Sequence, residues 1–327
     1  MIGRPRSGKW IKLIRPIVPS MTVHITLGGY QPITSLLSRT LQIAEASLFR
    51  RLGEAAHLTL INNIMDIGKV PGHMPDLVRS GDITLGYIAA SYLADVAREL
   101  YIFDLPFEIK SREQAYRLVD GPFTDIVADK LAAGAGLKLL GIWEYGFRHF
   151  TNASHPIRTP ADCHGLPIRT LLNELHPKMF KALGFNPEVV QLSEFLERVR
   201  GGETFAQENA LTNYYNFGLQ DFHQHVTLSH HLLGMALFIC DLQTFESWPA
   251  SVQAAVLAAG TAGTIGQRPL AATEEETVLA KLQASGCQIH AMTNHEKQAF
   301  DDILKPLAEP YREKIGPQTL KLLEDAT

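Results

Sequence analysis

From residue 22 to 27 the chain reads Thr-Val-His-Ile-Thr-Leu, apolar at every second position, which is the period of a strand that buries one face. Gly28-Gly29-Tyr30-Gln31 breaks this run. Apolar residues then recur three and four apart over residues 33–52 until Gly53, the spacing and stop signal of a helix. The strand, loop and helix order continues, with strands predicted over 57–62, 82–87 and 137–143 and helices over 74–79, 111–118 and 124–133. After Asp162 it resumes, with strands at 166–169 and 187–191, helices at 173–183 and 193–200, and a further helix opened by Gln207-Glu208-Asn209. Residues 224–228 and 233–239 read as two more strands. A long helical stretch runs from Pro249 to about Ala284, with Gly260, Gly263, Gly266 and Pro269 as expected kinks. A strand at 288–292 and helices at 294–315 and 318–324 complete the chain. Strands separated by helices are joined by crossovers, so an α/β fold with six or more parallel strands is the expected core.

In open α/β sheets, ligands bind beyond the carboxyl ends of the strands. Arg148 follows the apolar run at 137–143, and Arg169 closes Leu166-Pro167-Ile168 after the turn at Gly165. A guanidinium keeps its charge and presents a planar fork that takes a carboxylate or phosphate through two parallel hydrogen bonds. Two such groups at strand ends therefore select small anions. Tyr30 and Gln31 occupy the loop after the first strand and are expected to face the same ligand.

A chain of 327 residues exceeds one ordinary core, which implies two domains. Its 46% hydrophobic and 20% charged residues are those of a folded globular chain. The formal net charge of −4 supplies no basic field, so no nucleic-acid partner is expected. Cys163, Cys240 and Cys287 are odd in number and far apart, forming neither a disulfide framework nor a C-x-x-C motif. Residues 1–20 are a basic extension carrying Arg4, Arg6, Lys9, Lys12 and Arg15. Within it, Gly3 to Lys9 matches the start of a phosphate-binding loop, but Trp10 stands where that loop needs Ser or Thr. The apolar run at 10–14 is too short and interrupted for an export signal, so none is expected in the chain as given, with Met21 an alternative start.

Trp143-Glu144-Tyr145-Gly146-Phe147-Arg148-His149-Phe150-Thr151-Asn152, Pro156-Ile157-Arg158-Thr159-Pro160-Ala161-Asp162, Gly165-Leu166-Pro167-Ile168-Arg169 and Gln207-Glu208-Asn209 follow one another at a telling spacing. Together with Phe103-Asp104-Leu105-Pro106-Phe107 and Trp248-Pro249-Ala250-Ser251-Val252-Gln253, they make the chain resemble the DctP-type substrate-binding subunits of TRAP (tripartite ATP-independent periplasmic) transporters. The resemblance implies a two-lobed, type II periplasmic-binding-protein-like fold with a ligand cleft between the lobes and a long bracing helix. One lobe is expected over 21–122 plus 214–250 and the other over 123–213 plus 251–292, with 293–327 packing across both. The implied function is capture of a small organic acid for delivery to TRAP membrane subunits, by a periplasmic monomer without cofactor, metal or catalytic residues. The implied site has Arg169 as main carboxylate anchor, Arg148 and Asn209 orienting the ligand, Trp143 and Tyr214 as apolar wall, Tyr30 and Gln31 from the first loop, and His231 at the cleft strand. The alternative is a cytoplasmic or repurposed carboxylate-binding sensor or enzyme on the same fold. Gly201-Gly202-Glu203-Thr204-Phe205-Ala206 departs from the family's usual run before Gln207.

Two tempting clusters read as structural. His223, His225, His230 and His231 have only Asp221 as a nearby acidic ligand, and adjacent histidines on a strand face opposite ways. Cys163 follows the capping-box pattern from Thr159 to Asp162, where Asp162 opposes a thiolate and His164 diverges from it, so an inert thiol is expected.

Overall fold

The computed structural model describes residues 22–327. The expectations for residues 1–20 and for Met21 lie outside the described residues. In chain order the first half holds β1 (Val23–Gly28), α1 (Leu36–Leu52), β2 (Ala56–Ile61), α2 (Met74–Ser80), β3 (Leu85–Ala89), α3 (Arg112–Val119), α4 (Phe123–Ala135) and β4 (Leu137–Asn152). The second holds β5 (Pro167–Thr170), α5 (Leu175–Ala182), β6 (Asn186–Val189), α6 (Leu192–Arg200), β7 (Ala206–Ala210), α7 (Leu211–Asn216) and β8 (His225–Asp241). It ends with α8 (Leu242–Ser247), α9 (Ala250–Ala284), β9 (Gln288–Ala291), α10 (Asn294–Ile315) and α11 (Pro317–Asp325). Local chemistry sets several boundaries. Ser35 caps α1 by accepting from the Ser38 N–H, and Thr293 with Glu296 forms a capping box on α10.

All nine strands join one sheet in the order β2-β1-β3-β8-β4-β7-β5-β6, with β9 alongside β8. The expected parallel pairing holds at the flanks, where β1 pairs with β2 and β3, and β5 with β6 and β7. The centre is different. β4 and β8 are long, run in opposite directions, and pair antiparallel with each other and with β7 and β3 respectively. The first part of β4, from Leu137 to Trp143, lies against Ala236–Asp241 of β8, the part that also carries β3; Arg148–Thr151 lies against β7. Both long strands therefore run through both halves of the sheet, and their register shifts between Glu144 and Gly146, where Gly146 has φ 108°.

The strand predicted to end at 143 continues to Asn152, because residues 142–152 are buried on both faces and show no alternation. The strands at 224–228 and 233–239 are one strand, bulged around His230, whose φ is 52°. Gln207-Glu208-Asn209 lies in strand β7, not in a helix, since its polar side chains are buried rather than solvated.

Helix α9 is uninterrupted through Pro269, so its glycines serve close packing rather than the kinks expected of them. A Cβ at Gly260 would lie 2.0 Å from the Leu140 carbonyl oxygen, and one at Gly263 would lie 2.8 Å from the Trp143 ring. Backbone cannot swing aside as a side chain can. Gly260→Ala is therefore expected to destabilise the protein by roughly 2 kcal/mol despite its better helix propensity, measured as a fall in urea midpoint.

Candidate functional site

Arg148, Arg169, Asn209 and Tyr30 line one small cavity of about 40 Å³, between β4, β5, β7 and the loop after β1. Each is at least nine-tenths buried. The rest of the wall comes from segments far apart in sequence, among them Ile88, Tyr92, Tyr145, Leu171, Leu192 and Phe217.

The two arginines differ in kind. Arg148 is spent on the protein: Nε donates to Glu208 Oε2 at 2.5 Å, Nη2 to Glu208 Oε1 at 2.6 Å and to its backbone oxygen at 3.0 Å, and Nη1 to the Tyr145 hydroxyl at 2.8 Å. Burial alone would raise the Glu208 carboxyl, but Arg148, with His176 and His231 behind it, holds it well below the usual carboxylate range. Arg169 has only its Nε engaged, donating to the Val190 oxygen at 3.0 Å, and its guanidinium carbon lies 5.9 Å from the Phe195 ring centre. Among the described residues no carboxylate pairs with it. A buried, uncompensated cation is expensive for a fold, so a cavity that keeps one is shaped for an anion.

Asn209 is held in place by its oxygen, which accepts from the Ala210 N–H at 2.9 Å and from Asn213 Nδ2 at 3.0 Å. No protein acceptor is recorded for its amide NH2 among the described residues, which leaves two donors at the cavity. Gln31 does not reach the cavity; its Nε2 donates to Asn213 Oδ1 at 2.7 Å and so buttresses Asn209 at one remove. His231 also lies behind the wall, stacked on Phe150 at 4.5 Å with Nδ1 2.7 Å from Ser229 Oγ and Nε2 3.6 Å from Glu208. Trp143 is core, stacked on Phe238 at 4.5 Å beneath α9. Tyr214 is core too, its hydroxyl donating to the His223 oxygen. Neither forms the apolar wall expected of it, because both side chains point away from the cavity into packed layers.

Tyr145 was not singled out in the sequence, for a clear reason. Residues three apart on a regular strand face opposite ways, but the positive φ at Gly146 turns Tyr145 to the Arg148 side. Close by, Asp104 accepts from Ser91 Oγ at 2.6 Å, Asn173 Nδ2 at 3.1 Å and His176 Nε2 at 2.8 Å. Burial pushes the His176 imidazole down, yet Asp104 and Glu208 more than offset it and raise it to about 9. A raised histidine contributes stability that is complete below its unfolded value near 6.5 and lost as pH rises through about 9. Stability should thus fall across that window by on the order of 3 kcal/mol, read as a falling urea midpoint, and His176→Gln should flatten the profile.

His149, His230 and Glu275 also come together, with ligand atoms within 4.8 Å of one another. The His230 N–H donates to His149 Nδ1 at 3.2 Å, so the His149 proton resides on Nε2, which faces Glu275 at 3.6 Å. That tautomer offers no lone pair to a cation. All three cysteines are free, and burial, followed by Asp162, pushes the Cys163 thiol up, in keeping with an inert role.

The bacterial extracellular solute-binding protein family 7, DctP, matches residues 69–314, three quarters of the chain. The chain belongs to the DctP family. Among curated relatives, the Escherichia coli 2,3-diketo-L-gulonate-binding periplasmic protein YiaO is 28% identical over 248 residues, 76% of this chain and 74% of YiaO. Among solved structures, the sugar acid binding protein DctPAm of Advenella mimigardefordensis, in complex with galactonate, superposes with a TM-score of 0.87 at 22% identity, covering 94% of this chain and 99% of that one. A TRAP periplasmic solute binding protein of Shewanella oneidensis with bound succinate gives a TM-score of 0.87 at 19% identity, covering 93% and 99%. These likenesses establish the two-lobed DctP-type fold, in which β4 and β8 are the strands common to both halves. Among the described residues no helix is long and apolar enough to cross a membrane.

Proposed function

We propose that this DctP-family chain is a periplasmic receptor, not an enzyme, that captures a small carboxylate in the cavity and delivers it to TRAP-type membrane subunits. The observation that carries this reading is Arg169, a buried guanidinium with both Nη groups unengaged at the cavity and no carboxylate partner among the described residues. Arg169 is the anchor. Asn209, and the one Nη1 hydrogen that Arg148 does not give to Tyr145, orient the bound oxygens. Relatives that bind succinate, galactonate and diketogulonate support a carboxylate ligand.

The lobes, taken as 21–122 plus 214–250 and 123–213 plus 251–292, close about the Gly146 region, where β4 and β8 change register. A carboxylate at a hundred times its dissociation constant should stabilise the folded protein by about 2.7 kcal/mol, raising the melting temperature, while its neutral amide should not. The same acid should reduce the radius of gyration in small-angle scattering. A carboxylate screen that shifts neither quantity would refute the reading.

A further inference from the structure

Given the carboxylate-receptor reading, on which this inference rests, the cavity wall itself restricts what can accompany the carboxylate. Beyond Arg148 and Arg169, no Lys, Arg or His lines it among the described residues. Arg148 is already neutralised by the bidentate Glu208 contact. One guanidinium thus remains for one carboxylate, and a second carboxylate would be desolvated without a partner, at high cost.

The remaining wall is also poor in groups for a polyhydroxylated chain. Ile88, Ala89, Leu171, Leu192, Phe217 and Pro71 are apolar. The polar atoms that remain are the tyrosine hydroxyls of Tyr30, Tyr92 and Tyr145 and the amides of Asn209 and Asn213. The Asn209 oxygen already accepts from Ala210 and Asn213, and that of Asn213 accepts from Gln31, so these side chains offer the ligand chiefly donors. A row of ligand hydroxyls, each needing an acceptor as well as a donor, would find too few.

We propose that the preferred ligand is a short monocarboxylate with a branched or otherwise apolar tail, its carboxylate on Arg169 and its tail against Leu171, Leu192 and Phe217. Ligand acceptor oxygens beside the carboxylate, such as an oxo group, suit the Asn209 donors.

Calorimetric titration of the whole chain with isovalerate, α-ketoisovalerate, succinate and galactonate tests this. At least one of the two branched monocarboxylates is expected to bind ~10-fold or more tightly than both succinate and galactonate. If succinate or galactonate binds as tightly or more tightly, or the margin is smaller, the monocarboxylate assignment falls while the carboxylate-receptor reading stands. If none of the four binds, both fall.

Discussion

Arg169→Ala is expected to bind the cognate acid ~100-fold more weakly, a loss of about 3 kcal/mol, while unfolding at the same or a higher urea concentration than the parent. The two effects have opposite signs because the buried guanidinium has no protein carboxylate to balance it among the described residues, so the ligand-free fold bears an uncompensated charge that alanine removes. Arg169→Lys separates charge from geometry. Lysine keeps the positive charge but offers a point charge in place of a planar fork, so it is expected to lose ~10-fold or more in affinity. Calorimetry with circular dichroism as folding control reads both variants. Parent-like binding by Arg169→Lys would shift the anchor to Arg148.

Glu208→Ala is expected to behave in the opposite way, losing about 3–5 kcal/mol of stability, because it leaves Arg148 buried and unpaired. The pH dependence follows from the depressed Glu208 carboxyl. Its contribution is present above the unfolded value near 4.3 and is lost as pH falls through the lower folded value. Acid should therefore destabilise the parent more steeply than Glu208→Gln, which is already without the charge. Urea midpoints of the two proteins at neutral pH and near pH 3 check this. Equal slopes would mean that the ion pair does not govern acid stability.

Much of this site was legible in the sequence because its signals were local. Gly165 and Pro167 mark the start of the short strand that presents Arg169, and Gly28-Gly29 marks the loop that carries Tyr30 to the same cavity. What was not legible depended on long-range packing. The second part of β4 has both faces covered, so the alternation that reveals a strand is missing, and Arg148 looked like a strand end when it lies within the strand. Gln207-Glu208-Asn209 carries the polarity of an exposed helix start, and only the fold reveals that Glu208 is balanced by Arg148 and Asn209 by Asn213. Trp143 and Tyr214 were placed at the ligand because aromatic residues near an anion site suggest a wall, whereas α9 and the layers beside it absorb both. The actual wall is assembled from Ile88, Leu171, Leu192 and Phe217, whose convergence no local pattern announces.

The most direct test of carboxylate capture at Arg169 is a crystal structure of the protein with its tightest-binding acid. The carboxylate oxygens are expected within about 3 Å of Arg169 Nη1 and Nη2, with Asn209 donating to one of them and the Arg148–Glu208 pair intact. A carboxylate bound to Arg148 with the Glu208 contact broken, or seated in the open groove beside Lys110 and Lys297 with Arg169 still unpartnered, would contradict it.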